Sequence, residues 1–136
     1  MKASLQRELY SRNKVILDKV RYKGGYENYA IPKYGIQCNN GWFSLIDDFL
    51  EEIDKVCKPF NKYPIFVQIK EKFGHLRVYY TYTDIEDLDI KLDEITELYI
   101  NKSKFTCEVC GAFGDIKPFK NGFAKCICDK CITNYN

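Results

Sequence analysis

Apolar residues recur at helical spacing from the start of the chain. Leu5, Leu9, Ile16 and Val20 predict one amphipathic helix over about residues 4–20, with Arg7, Arg12, Lys14 and Lys19 on its polar side. The pattern dissolves over residues 21–41, where Gly24-Gly25, Pro32 and Asn39-Asn40-Gly41 are turn signals. Tyr22, Tyr26, Tyr29, Ile31, Tyr34 and Ile36 predict that this irregular stretch packs down instead of floating free. A wide apolar face returns with Trp42, Phe43, Ile46, Phe49, Leu50, Ile53 and Val56, opposed by Asp47, Asp48, Glu51, Glu52 and Asp54. It predicts a second helix, with Asn40 as its cap and Pro59 as its end.

The period then changes from helical to two. Ile65, Val67 and Ile69 alternate with Phe66, Gln68 and Lys70. Leu76, Val78, Tyr80 and Tyr82 alternate with Arg77, Tyr79 and Thr81, and the Phe73-Gly74-His75 link is short enough for an antiparallel hairpin. A third helix over about residues 84–103 uses Ile85, Leu88, Leu92, Ile95 and Tyr99 as its seam. Residues 116–119 and 123–127 flank Asn121-Gly122, which predicts a second hairpin. The expected fold class is α+β: helices packed on a small antiparallel hairpin, with a core of residues 1–104 and a smaller unit of residues 105–136.

That smaller unit carries the one motif with a specific chemical meaning. Cys107, Cys110, Cys128 and Cys131 spell C-x2-C, a gap of 17 residues, then C-x2-C. Such pairs can place four thiolates around one Zn²⁺, and with all four positions cysteine no place remains for water or substrate, so the metal would be structural. Gly111 allows the turn after the first pair that points backbone N–H groups at the sulfurs. Free or disulfide-bonded cysteines are the bland alternative. Cys126 lies on the same side of an extended strand as Cys128 and competes with it as a ligand. Cys128 is preferred because Cys128-Asp129-Lys130-Cys131 completes the second pair. A zinc ribbon and a truncated treble clef both fit, since five residues follow Cys131.

Composition narrows the class. With 46% hydrophobic and 15% aromatic residues the chain can build a core, which argues against disorder. No apolar run approaches the ~20 residues that cross a bilayer, and charges at Lys2, Arg7 and Glu8 interrupt any secretory leader. The expectation is a cytoplasmic protein whose thiols stay reduced, with no membrane partner. Cys38 and Cys57 then read as small core residues.

The net charge of +2 conceals segregation: +5 over residues 1–37, −3 over 38–60, +3 over 61–82, −6 over 83–100 and +3 over 101–136. The interleaved signs suit a local anionic site better than a long track along nucleic acid. Within the first hairpin, alternation puts Gln68 and Lys70 on one face of their strand and Arg77 and Tyr79 on one face of the next. If those faces coincide, Lys70, Arg77, Tyr79 and Gln68, with Lys72 near the turn, form a donor set for a phosphate-bearing ligand. Arginine would supply a planar fork and tyrosine a stacking surface. A solvated outer face is the bland reading of the same residues. Trp42 joins the set as a candidate pocket wall, although a tryptophan at a helix start is more often core. His75, the single histidine, reads as a turn residue. No serine sits in a nucleophile elbow, and the acidic helices read as solvated faces, so no catalytic residue is assigned.

Three segments carry a resemblance to a family of small proteins of tailed phages and prophages. They are Gly35-Ile36-Gln37-Cys38-Asn39-Asn40-Gly41-Trp42-Phe43, residues 68–80 with the core Lys70-Glu71-Lys72-Phe73-Gly74-His75-Leu76-Arg77, and Cys107-Glu108-Val109-Cys110-Gly111 with the late Cys128/Cys131 pair. Members of that family often carry histidine where Cys131 stands, which keeps a zinc ligand there, and Gly-Asp in place of Asn39-Asn40. The resemblance implies an accessory protein acting in the cytoplasm of an infected bacterium and supplies no reaction.

Three functions compete. The first is a non-enzymatic binding protein that sequesters a small phosphate-bearing ligand, such as a nucleotide signal of host defence. The second is an adaptor for nucleic acid or a host protein, with Lys117, Lys120, Lys125 and Lys130 of the zinc unit as its footprint. The third is a nucleotide hydrolase. A homo-oligomer is compatible with each.

Overall fold

In the computed structural model, which describes residues 1–135, the first apolar stripe makes two helices, not one. α1 (Ala3–Arg12) stops at Asn13 and α2 (Lys14–Leu17) restarts after it. Asn13 is buried, and its Nδ2 donates to the carbonyl of Leu9 and to Asp47 Oδ1, both at 2.9 Å. A side chain that takes a backbone carbonyl competes with the helix ladder, and the chain bends there. Asp18 then accepts from the N–H of Val20 at 2.9 Å and opens a 3₁₀ turn, Lys19–Tyr22. Val20, expected in the core, is therefore 62% exposed, while Tyr22 is buried and donates its hydroxyl to the carbonyl of Phe66 at 2.9 Å.

The irregular stretch packs down through Tyr22, Ile31 and Ile36, whereas Tyr26 and Tyr34 stay exposed, and it includes a short helix, α3 (Ala30–Tyr34). A 3₁₀ turn, Asn40–Trp42, leads into α4 (Phe43–Cys57), which buries Leu45, Ile46, Phe49, Leu50, Ile53 and Cys57. Asn40 does not cap α4: its Oδ1 accepts from the N–H of Lys2 at 2.8 Å, tying the loop to the start of α1. Pro59 lies in the 3₁₀ turn Lys58–Phe60 that ends α4.

β1 (Phe66–Lys72) and β2 (His75–Tyr80) form the antiparallel hairpin, with a bulge between Phe66 and Gln68. Ile69 and Leu76 are fully buried on its inner face, against the core built by α4 and α5 (Glu86–Ser103). α5 buries Leu88, Leu92, Thr96, Tyr99 and Ser103, whereas Ile85 and Ile95 of the expected seam are only half-buried. Gln37 adds one rung to the outer edge of β1: its N–H donates to Ile69 and its carbonyl accepts from Glu71.

The C-terminal unit comprises β3 (Asp115–Pro118), antiparallel to β4 (Ala124–Ile127), and a single helical turn, α6 (Asp129–Ile132). Cys107 and Cys110 sit in a knuckle before β3, while Cys128 and Cys131 flank and occupy the first turn of α6. Of the two expected forms this is the truncated treble clef, because a helix start replaces the second knuckle. The fold class is α+β with six α-helices and two small antiparallel sheets among the described residues.

Candidate metal centre and hairpin face

The knuckle folds because Cys107 anchors both its ends. Its N–H donates to Ala112 at 2.7 Å, and its carbonyl accepts from Gly111 at 2.8 Å. Gly111 closes that turn with φ +84°, a conformation that disfavours a side chain. The result brings the four sulfurs of Cys107, Cys110, Cys128 and Cys131 within 4.8 Å of one another. This is a group that could hold a metal ion, and the thiol-only donor set fits a tetrahedral zinc centre.

Electrostatics separate the four thiols. Burial opposes ionisation of Cys107, but the backbone N–H groups of Cys128, Cys110 and Val109 act on its sulfur and bring its pKa down to about 7. Cys131 lies at the other extreme, pushed up to about 12 by its hydrogen bond to the Cys128 thiol and then by burial. One thiolate is thus accommodated by backbone dipoles, while a full set of four requires a compensating cation. Cys126, the rival ligand, is outside the group: it is buried in the main core and its thiol donates to the carbonyl of Lys104 at 3.3 Å. Burial raises its pKa to about 11, as expected of a core thiol. Cys38 and Cys57 are core residues as well, with thiols pushed up mainly by burial.

The cluster is seated on the helical core through one loop. Gly41 donates its N–H to the carbonyl of Glu108 at 2.8 Å, and Glu108 donates its own N–H to Cys126 at 2.9 Å. The Glu108 side chain is buried; it accepts from the N–H of Asn39 at 2.9 Å and from Lys125 Nζ at 2.8 Å. Nothing in C-E-V-C announces that a loop 69 residues away closes over Glu108. Trp42 completes the seam. It is fully buried and its Nε1 donates to the carbonyl of Thr106 at 2.8 Å. This corrects its place among the ligand-binding candidates: its ring packs in the core and its one donor is in use.

The hairpin brings the remaining candidates together. Gln68 pairs with Tyr79, Lys70 with Arg77 and Lys72 with His75, so all six share the outer face. Tyr79 is 44% exposed. Arg77 Nε donates to His75 Nε2 at 3.2 Å, so the lone histidine orients the guanidinium. Gln68 Nε2 donates to Gln37 Oε1 at 2.8 Å, adding a polar neighbour that the sequence pattern did not disclose. Lys70, Lys72 and Arg77 form no ion pair among the described residues, and Lys72 lies 5.5 Å over the ring of Phe73.

The lysines of the C-terminal unit divide differently. Lys117 is held by Asp115 at 2.7 Å and Asp129 at 3.2 Å, and Lys125 by Glu108, leaving Lys120 and Lys130 exposed without such a partner among the described residues. Half of the expected adaptor footprint is thus engaged in holding its own fold. Among the described residues no helix is long and apolar enough to cross a membrane. Comparison of the chain with protein-family models, curated proteins and solved structures found no match.

Proposed function

We propose that this is a non-enzymatic binding protein, stapled by one structural Zn²⁺ on Cys107, Cys110, Cys128 and Cys131, that recognises a phosphate-bearing ligand on the outer face of its first hairpin. The observation that carries the reading is the register: Lys70 stands directly opposite Arg77, with no carboxylate paired to either among the described residues. Like charges in opposed positions destabilise a sheet, so a pair kept there without a counter-charge favours a bound anion. Arg77 would supply two fork nitrogens while its Nε stays on His75, Lys70 a point charge, and Tyr79 a ring for stacking. Gln68 and Lys72 would complete the set at either end.

The resemblance to tailed-phage and prophage proteins adds a context: action in the cytoplasm of an infected bacterium, where holding a nucleotide signal of host defence would benefit the phage. Calorimetry of the zinc-loaded protein with mono-, di- and cyclic nucleotides tests the reading. Arg77→Ala removes a charge-assisted hydrogen bond and should cost about 1.5–3 kcal/mol, roughly tenfold to more than a hundredfold in affinity. Arg77→Lys should recover part of the loss, because an ammonium lacks the planar fork. Absence of binding by the wild type, or unfolding of Arg77→Ala, refutes the proposal.

A further inference from the structure

A sizeable cavity among the described residues lies away from the hairpin. It lies between α1, the turn after α2, and α3, with a volume of about 840 Å³. Pockets for small organic ligands run from about 300 to 1,000 Å³ and combine apolar walls with a few polar groups. Here Pro32 supplies apolar surface over the buried Leu17 and Ile31, and Tyr10 and Tyr34 supply rings. Tyr34 is 67% exposed at the cavity rim. Tyr10 is half-buried, and its hydroxyl reaches toward the carbonyl of Ile31 at 3.4 Å. The edge of the cavity is braced: Gln6 donates to the carbonyl of Ile36 at 2.6 Å and accepts from its N–H at 3.2 Å, fixing α1 to the Gly35 turn.

Charge on the lining is one-sided. Arg7, Lys14 and Lys19 face Asp18 alone, and that carboxylate already accepts from the N–H of Val20. None of the three cations makes an ion pair among the described residues. An apolar floor with aromatic walls and an unpaired cationic rim complements one kind of occupant. We infer that the cavity between α1 and α3 is a second binding site, for a small amphipathic anion with a flat or aliphatic body and one acidic head. The body would lie on Pro32 and the tyrosine rings, and the head would meet Arg7 and Lys14. The site shares no residue with the hairpin face and stands independently of its ligand.

The probe that matches this chemistry is 8-anilino-1-naphthalenesulfonate, titrated into the folded, zinc-loaded full chain and read by fluorescence. One saturable site is expected, weakened at least tenfold by Arg7→Glu combined with Lys14→Glu. Filling the cavity from the exposed side of α1 with Ser11→Trp should abolish it, whereas Lys120→Glu, on the far hairpin turn, should leave it unchanged. Neutral N-phenyl-1-naphthylamine should bind at least tenfold more weakly than the sulfonate. Melting curves identify any variant that fails to fold, and two independent variants keep the test decisive. If the wild type shows no saturable site, the inference is overturned. It also fails if fluorescence survives the cavity variants and is lost in Phe113→Ser, on the exposed Phe105–Phe113 stack.

Discussion

The seam between the cysteine cluster and the helical core predicts a large effect from a single methyl group. A Cβ built on Gly41 would sit 2.3 Å from the carbonyl oxygen of Cys107 and 2.6 Å from the carbonyl carbon and oxygen of Glu108. These are backbone atoms, so no rotamer change relieves the overlap, and the φ of Gly41 is not positive, so the methyl group itself is the perturbation. Gly41→Ala must therefore lift the loop off the knuckle. The hydrogen bonds at risk are Gly41 N–H to Glu108, Asn39 N–H to the Glu108 carboxylate and Trp42 Nε1 to Thr106. At about 1 kcal/mol for each neutral bond and 1.5–3 for the charged one, the loss is about 3.5–5 kcal/mol. For 136 residues the unfolding entropy is about 0.29 kcal/mol per kelvin, so Tm should fall by about 12–17 °C. The assay is thermal circular dichroism of the zinc-loaded protein, with metal content read by a chromogenic chelator after thiol displacement. Zinc should remain bound, because no ligand is altered. A melting point within about 2 °C of wild type would show that the knuckle does not rest on this loop.

Metal analysis of reduced protein should give one zinc per chain, and chelation should unfold the C-terminal unit, because binding energy there is folding energy. Cys128→Ser should lose the metal while Cys126→Ser keeps it; the reverse result would reassign the ligand. Glu108→Ala should destabilise the fold by about 3 kcal/mol, since it orphans the N–H of Asn39 and leaves Lys125 unpaired. Glu108→Gln with Lys125→Met should be milder than the two single costs added together. Strict additivity in chemical denaturation would show that the pair is not coupled.

The elements legible in the sequence are those whose own period decides them. α4 and the hairpin carry strong helical and alternating patterns, and their observed limits follow closely. The four cysteines are legible for a related reason: thiol spacing is a local property that survives any packing. What escaped depends on partners distant in the chain. Asn13 breaks the first helix with help from Asp47, which no window around residue 13 contains. Glu108 and Lys125 look like solvated charges until β4 and the loop before α4 enclose them. Trp42 was ambiguous between pocket and core because its fate depends on whether residue 106 reaches its indole nitrogen. The cavity between α1 and α3 has no linear signature at all, since its lining comes from segments that are individually unremarkable.

The metal unit bears on the hairpin through shared atoms. The small apolar cluster of this unit buries only Cys107, Ile127 and Cys128, with Val109, Phe119, Cys131 and Ile132 packed partly buried against it, too little to hold a unit of this size without a further constraint. Cys126, its neighbour on β4, belongs instead to the main core and is hydrogen-bonded to Lys104 at the end of α5. One residue earlier, Ser103 Oγ accepts from the N–H of Leu76 on β2 at 2.9 Å. Gly74, at the hairpin turn with φ +87°, leaves only enough room for Ile116 of β3, whose Cγ2 would lie 2.8 Å from an added Cβ. The turn that joins Lys72 to His75 is therefore clamped between α5 and the β3–β4 hairpin, which a metal on the four thiols would hold to α6. Stability of the cysteine cluster and alignment of Lys70 opposite Arg77 are consequently linked properties, although no thiol lies on the hairpin face.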